Sequence, residues 1–111
     1  MYFAADSAEI QSESAPVLAS VVSILEKCPD AVLQIAGHTD SLGDANYNLY
    51  LSRERASAVS TYLVDFGIPT ERLVSEGFGE AQPVADNATE RGRSKNRRIE
   101  FSVFGYGTSN G

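Results

Sequence analysis

Two charged residues carry the chemistry in this chain. Asp40 ends the stretch Gly37-His38-Thr39-Asp40, and Arg55 ends the stretch Asn48-x-x-Leu51-Ser52-x-x-Arg55. Asp40 lies just past an apolar run that reads as a strand, and Arg55 lies in the opening turns of the helix that follows. A fixed anion beside a fixed cation suits a zwitterionic ligand, such as the amino-acid end of a larger molecule. Arg55 can take a carboxylate in a two-pronged pair while Asp40 receives an ammonium. Asn48, Ser52 and Arg55 fall at i, i+4 and i+7, so they share one helical stripe, with Leu51 beside it. The opening of that helix adds free N–H groups and a partial positive charge. Each charge-assisted contact contributes roughly 1.5–3 kcal/mol. Spacing alone leaves a second reading level with this clamp: an internal Asp40–Arg55 salt bridge tying loop to helix, worth roughly 0–1 kcal/mol if exposed.

Other reactive residue types lack companions. His38 is the only histidine and Cys28 the only cysteine. A zinc site wants three or four ligands, so His38-x-Asp40 reads as structural or capping rather than metal-binding. One cysteine forms no intrachain disulfide, and Cys28 has no basic neighbour in sequence to activate it. Ser52 has no histidine at any helical offset. Gly77-x-Gly79 lacks the third glycine and the Lys-Ser/Thr ending of a phosphate loop. The expectation is a binding module with no cofactor, no metal and no catalysis.

At 111 residues with 42% hydrophobic content, the chain makes one domain with a real core. No apolar run approaches the roughly 20 residues that span a bilayer. Met1-Tyr2-Phe3-Ala4 has no basic region and is not a signal peptide. The chain reads as a domain of a longer protein, with any targeting or anchoring segment outside it. The net charge of −6 is uneven: residues 1–90 hold 14 acids and four bases, while residues 91–111 hold one acid and five bases. That acidity argues against general nucleic-acid binding. The basic run Arg91, Arg93, Lys95, Arg97, Arg98 either pairs with the acidic remainder or brings an arginine to the ligand.

The elements that must position these residues follow from periodicity. Tyr2-Phe3-Ala4 reads as a first or edge strand. Ser12 or Ser14 caps a helix with Pro16 in its first turn, and Val17, Val21, Leu25 and Cys28 mark its apolar stripe, flanked by Leu18, Val22 and Ile24. Ala31–Ala36 is nearly all apolar, as in a central strand covered on both faces. Gly37–Ala45 is a loop. A second helix spans Tyr47–Phe66, burying Ala56, Val59, Leu63 and Phe66, and Gly67-Ile68-Pro69 ends it. A turn at Thr70–Leu73 leads to a strand at Val74–Gly77, with Gly77-Phe78-Gly79 a flexible bend. Thr89 caps a short helix over Glu90–Lys95. Ile99–Val103 alternates as a half-buried strand. The order β-α-β-α-β-(α)-β predicts an α/β sandwich, with helices on a mixed sheet that starts parallel and ends antiparallel. Residues 1–104 form the domain and 105–111 a flexible tail.

Four stretches together resemble the OmpA-like C-terminal domain, also seen in peptidoglycan-associated lipoprotein and the flagellar stator protein MotB. They are Gly37-His38-Thr39-Asp40-x-x-Gly43, Asn48-x-x-Leu51-Ser52-x-x-Arg55-Ala56-x-x-Val59, Gly77-Phe78-Gly79-x-x-x-Pro83 and Gly92-Arg93-x-x-Asn96-Arg97-Arg98-Ile99. The resemblance implies non-covalent binding of peptidoglycan on the periplasmic side of the cell envelope. It implies that Asp40 and Arg55 hold the free amino-acid end of meso-diaminopimelate, with Asn48, Thr39 and Leu51 lining the pocket. It also puts Asn96 and Arg97 near the rim. Such a domain anchors a larger, outer-membrane-associated protein to the wall without itself entering the membrane. The alternative is an envelope assembly or protein-interaction domain independent of peptidoglycan. One departure stands out: Ala4 follows Phe3 where the family often has an acid, and Asp6 lies two positions on.

Overall fold

The computed structural model describes residues 1–105 of the chain; the rest of the tail expected at 105–111 lies outside the described residues. Helix α1 spans Ala15–Lys27, strand β1 Val32–Gly37, helix α2 Ala45–Asp65, strand β2 Leu73–Gly77, helix α3 Glu90–Asn96 and strand β3 Ile99–Phe104. Short 3-10 turns at Ser12–Ser14 and Thr70–Arg72 lead into α1 and β2. The sheet order is β2-β1-β3, with β1 parallel to β2 and antiparallel to β3. This is the predicted mixed α/β arrangement, with α2 as the crossover between the parallel pair.

The first predicted strand is reduced to a bridge. Tyr2 pairs with Arg98, Phe3 N–H donates to Arg97 O at 3.0 Å, and Ile99 N–H donates to Met1 O at 2.9 Å. The N-terminal segment therefore flanks β3 rather than pairing with β1. Phe3 still sinks its ring into the core.

Leu33 and Ile35 of β1 face the helices and are buried with Leu18, Leu25, Ala56, Val59, Leu63 and Ile99. The expected cover on both faces of β1 is not seen. Val32 and Gln34 remain partly exposed, and Gln34 bonds to Glu76 across the open face. The α1 stripe is rotated from the predicted one: Leu18 and Leu25 are its buried centre, while Val17 and Ile24 are exposed. Neither serine caps α1 through its side chain, because the 3-10 turn carries the chain into the helix instead.

Helix α2 starts earlier than the periodicity suggested, since Asp44 caps it by accepting from Asn46 N–H. At its far end Gly67 takes φ +98, Gly67 N–H donates to Val64 O, and Ile68 N–H donates to Leu63 O. This two-bond glycine cap turns Ile68 into the core. Phe66, predicted to be buried, is left outside against Tyr62.

Helix α2 crosses the ends of β1 and β2 at backbone contact, and two glycines permit it. A Cβ on Gly37 would lie 2.0 Å from Ser52 O, and one on Gly77 would lie 2.5 Å from Arg53 N. The expected flexible bend at 77–79 is instead packed against α2 and held by Gly79 N–H donating to Ser52 Oγ at 2.9 Å. Gly37→Ala should therefore displace α2 and cost about 3 kcal/mol or more. Gly43→Ala, at φ +85 with open space around it, should cost only the left-handed strain of about 1–2 kcal/mol. Urea denaturation of the two variants checks this ranking, and equal losses would contradict it.

Candidate functional site

Beyond Gly37 the chain leaves the sheet but stays pinned. His38 N–H donates to Arg98 O, Thr39 N–H to Gly79 O, and Phe78 N–H to Gly37 O, each at 2.9 Å. His38, Thr39 and Asp40 are all buried as a result. Asp40 Oδ1 accepts from Leu42 N–H at 3.0 Å, and Oδ2 accepts from Arg97 Nη1 at 3.1 Å. Arg97 is raised above its ordinary pKa, first by Glu90, which it grips at 2.7 Å, and also by Asp40.

Arg55 does not bridge to Asp40. Its guanidinium has no exposed surface and donates to three backbone carbonyls: Nε to Ser7 O at 2.8 Å, Nη1 to His38 O at 2.9 Å, Nη2 to Ala4 O at 3.0 Å. It lies 5.2 Å from the centre of the Phe3 ring, within cation–π range. Burial, and then the Arg97 charge, push its pKa down to about 10, which leaves it charged at neutral pH. A guanidinium has five N–H donors, so two remain beyond these three bonds.

These groups surround an open cavity of about 360 Å³ lined by Thr39, Asp40, Asn48, Leu51, Arg55 and Arg97 among others. Six of the seven residues singled out from sequence thus converge on one space. Asn48 is buried below it, with Nδ2 donating to Leu42 O and Glu80 Oε2, each at 3.0 Å. Asn96 does not line the cavity. Its Oδ1 accepts from Val84 and Ala85 N–H, and its Nδ2 donates to Ala85 O and Asn87 Oδ1. Asn96 instead pins the 84–87 loop, next in sequence to Arg97, which does line the cavity.

Asp6 and Tyr47 also line the cavity, with the Tyr47 hydroxyl donating to the Asp6 carboxylate. Tyr47 was not singled out from sequence, and only its place in the first turn of the helix bearing Asn48 and Arg55 hints at it. With Asp40, Arg55 and Arg97, Asp6 gives the cavity two carboxylates and two guanidiniums. The basic run divides accordingly. Arg97 reaches the cavity, while Arg98 pairs with Glu100 at 2.7 Å and Arg93 with Glu90 at 3.4 Å. Among the described residues no group of His, Cys, Asp and Glu side chains is placed to hold a metal ion. Ser52 Oγ is engaged with Leu49 O and Gly79 N–H.

His38 shapes the site through its backbone. Its ring stacks on Phe78 at 5.5 Å, and neither ring nitrogen has a hydrogen-bond partner among the described residues. Burial lowers its pKa, Arg98 lowers it further, and Glu100 opposes them. The unfolded imidazole, near 6.5, therefore takes its proton first as pH falls. His38 should contribute full stability above that value and lose it progressively below, with a slope under the one-proton limit of about 1.4 kcal/mol per pH unit. Denaturation between pH 5 and 7.5 should show this slope in the parent and a flatter one in His38→Phe. Equal slopes would contradict it.

Comparison with known proteins agrees with this fold. The chain is 41% identical over 98 residues to outer membrane porin F of Pseudomonas fluorescens, covering 88% of this chain and 30% of the relative. It is 40% identical over 101 residues to the peptidoglycan-binding protein ArfA of Mycobacterium bovis, covering 91% of this chain and 31% of that protein. The chain thus spans about a third of these curated relatives. Its fold overlays the peptidoglycan-associated lipoprotein of Burkholderia pseudomallei with a TM-score of 0.89 at 30% identity, covering 93% of this chain and 87% of the other. The C-terminal domain of Helicobacter pylori MotB gives a TM-score of 0.85 at 25% identity, covering 93% and 81%. The OmpA family pattern matches residues 2–97, and this chain belongs to the OmpA family.

Proposed function

We propose that this domain binds peptidoglycan non-covalently, taking the zwitterionic end of a stem-peptide meso-diaminopimelate into the cavity. The observation that carries this reading is the charge balance of one small space: Asp6 and Asp40 against Arg55 and Arg97. A ligand with net charge would leave one pair uncompensated in a partly desolvated site, whereas a zwitterion satisfies both signs. The ammonium goes to Asp40, whose two oxygens are held in place by Leu42 N–H and Arg97. The carboxylate goes to the two N–H donors of Arg55 that the backbone carbonyls leave free. Thr39, Asn48 and Leu51 wall the space. The names of relatives such as ArfA and the peptidoglycan-associated lipoprotein support the polymer as the target.

The same reading makes the domain the wall anchor of a larger protein, working on the periplasmic side of the envelope. The short share of the relatives that it spans is in keeping with that role. No helix among the described residues is long and apolar enough to cross a membrane. The reading is one of binding rather than catalysis, and the family and relatives such as ArfA support it.

Asp40→Asn tests this: the amide oxygen keeps the acceptor for Leu42 N–H, while the charge and the acceptor for Arg97 are lost and Glu90 still holds Arg97. The variant should sediment with purified sacculi at least tenfold less than the parent, while melting as a folded domain. Free meso-diaminopimelate in excess should release the parent from sacculi. Retention of a folded Asp40→Asn at the parent's level would overturn the reading.

A further inference from the structure

Arg55 walls the cavity yet has no exposed surface. What encloses it includes the turn Ala4–Ser7, whose Ala4, Ala5 and Asp6 are themselves exposed. The turn is thin, and few bonds tie it down. Ala4 O and Ser7 O accept from the guanidinium, and Asp6 accepts from the Tyr47 hydroxyl of α2. On its N-terminal side the chain is firmly held, because Phe3 exchanges bonds with Arg97 through Phe3 N–H to Arg97 O and Arg97 Nε to Phe3 O. Asp6 adopts φ +54, the left-handed region that a non-glycine residue enters at a cost.

We propose that the Ala4–Ser7 turn is a strap over Arg55, latched by the Tyr47–Asp6 hydrogen bond, that must lift for a ligand carboxylate to reach the guanidinium. This rests on the zwitterion reading above for the identity of the ligand, though not for the existence of the strap. Asp6 and Tyr47 thereby become positioning residues that govern access. The latch holds the ligand-free protein closed, and the strained turn at Asp6 favours release. The apparent affinity of the closed protein is reduced by the fraction of time the strap is open. Loosening the latch should then strengthen binding.

Two variants open the latch from opposite sides. Tyr47→Phe keeps the ring and removes the donor; Asp6→Gly removes the acceptor and suits the left-handed backbone. The ligand-free proteins are treated with phenylglyoxal, which modifies accessible arginines, and the products are mapped by mass spectrometry. Arg55 should be protected in the parent and modified severalfold faster in both variants, with exposed Arg91 reacting equally in all three. Arg55 protected in the variants as in the parent would overturn the strap. Titration with free meso-diaminopimelate supplies the second arm, and binding about three- to tenfold tighter in Tyr47→Phe is expected. Unchanged or weaker binding would overturn the gating role. If no protein binds diaminopimelate, the proposed function fails while the phenylglyoxal arm still decides the strap.

Discussion

One buried guanidinium organises this domain. Arg55 reaches from the middle of α2 to the carbonyls of Ala4 and Ser7 in the N-terminal segment and of His38 just past β1. Two stretches far apart in sequence are thus tied to one side chain of a third. A charge with no exposed surface is costly to bury unless it is hydrogen-bonded, and these three carbonyls offset part of that cost. The N-terminal segment, which reaches the sheet only through a bridge at Tyr2, owes much of its placement to this residue and to Phe3 beneath it.

The same constraint makes the cavity. Glycines at 37 and 77 let α2 come to backbone contact with the strand ends, which sets Asn48, Ser52 and Arg55 below the loop carrying Asp40. Arg97 arrives from the end of α3 and pairs with Asp40, while Glu90 holds the far side of Arg97. The result is that Asp40 and Arg97 are fixed in position before any ligand arrives. Preorganisation of this kind lowers the ordering cost of binding at the ammonium end.

Much of this was legible in the sequence. The stripe Asn48–Ser52–Arg55 and the loop position of Asp40 follow from helical spacing, and the order of elements follows from periodicity. What spacing could not decide was the partner of each charge. The simple bridge put Asp40 and Arg55 in mutual contact and the clamp put them on either side of a ligand, whereas in the structure Asp40 pairs with Arg97 and Arg55 with backbone carbonyls. Those partners are long-range contacts without a local pattern. Other differences have the same origin. Phe66 looks like a core residue until the glycine cap brings Ile68 inward in its place. Tyr2–Ala4 looks like a strand because its apolar content serves the Phe3 anchor rather than a ladder. Asn96 sits in a segment tied to the site by resemblance, yet its amide is spent on a neighbouring loop.

The central claim is that the cavity recognises both ends of a zwitterion at once. Amide chemical-shift titration of the labelled domain with meso-diaminopimelate, and in parallel with cadaverine, which carries two ammonium groups and no carboxylate, tests it most directly. The account predicts saturable shifts with diaminopimelate centred on Thr39–Gly43 and Asn48–Arg55, and none of comparable size with cadaverine. Equal responses to the two ligands, or shifts centred away from those residues, would contradict it.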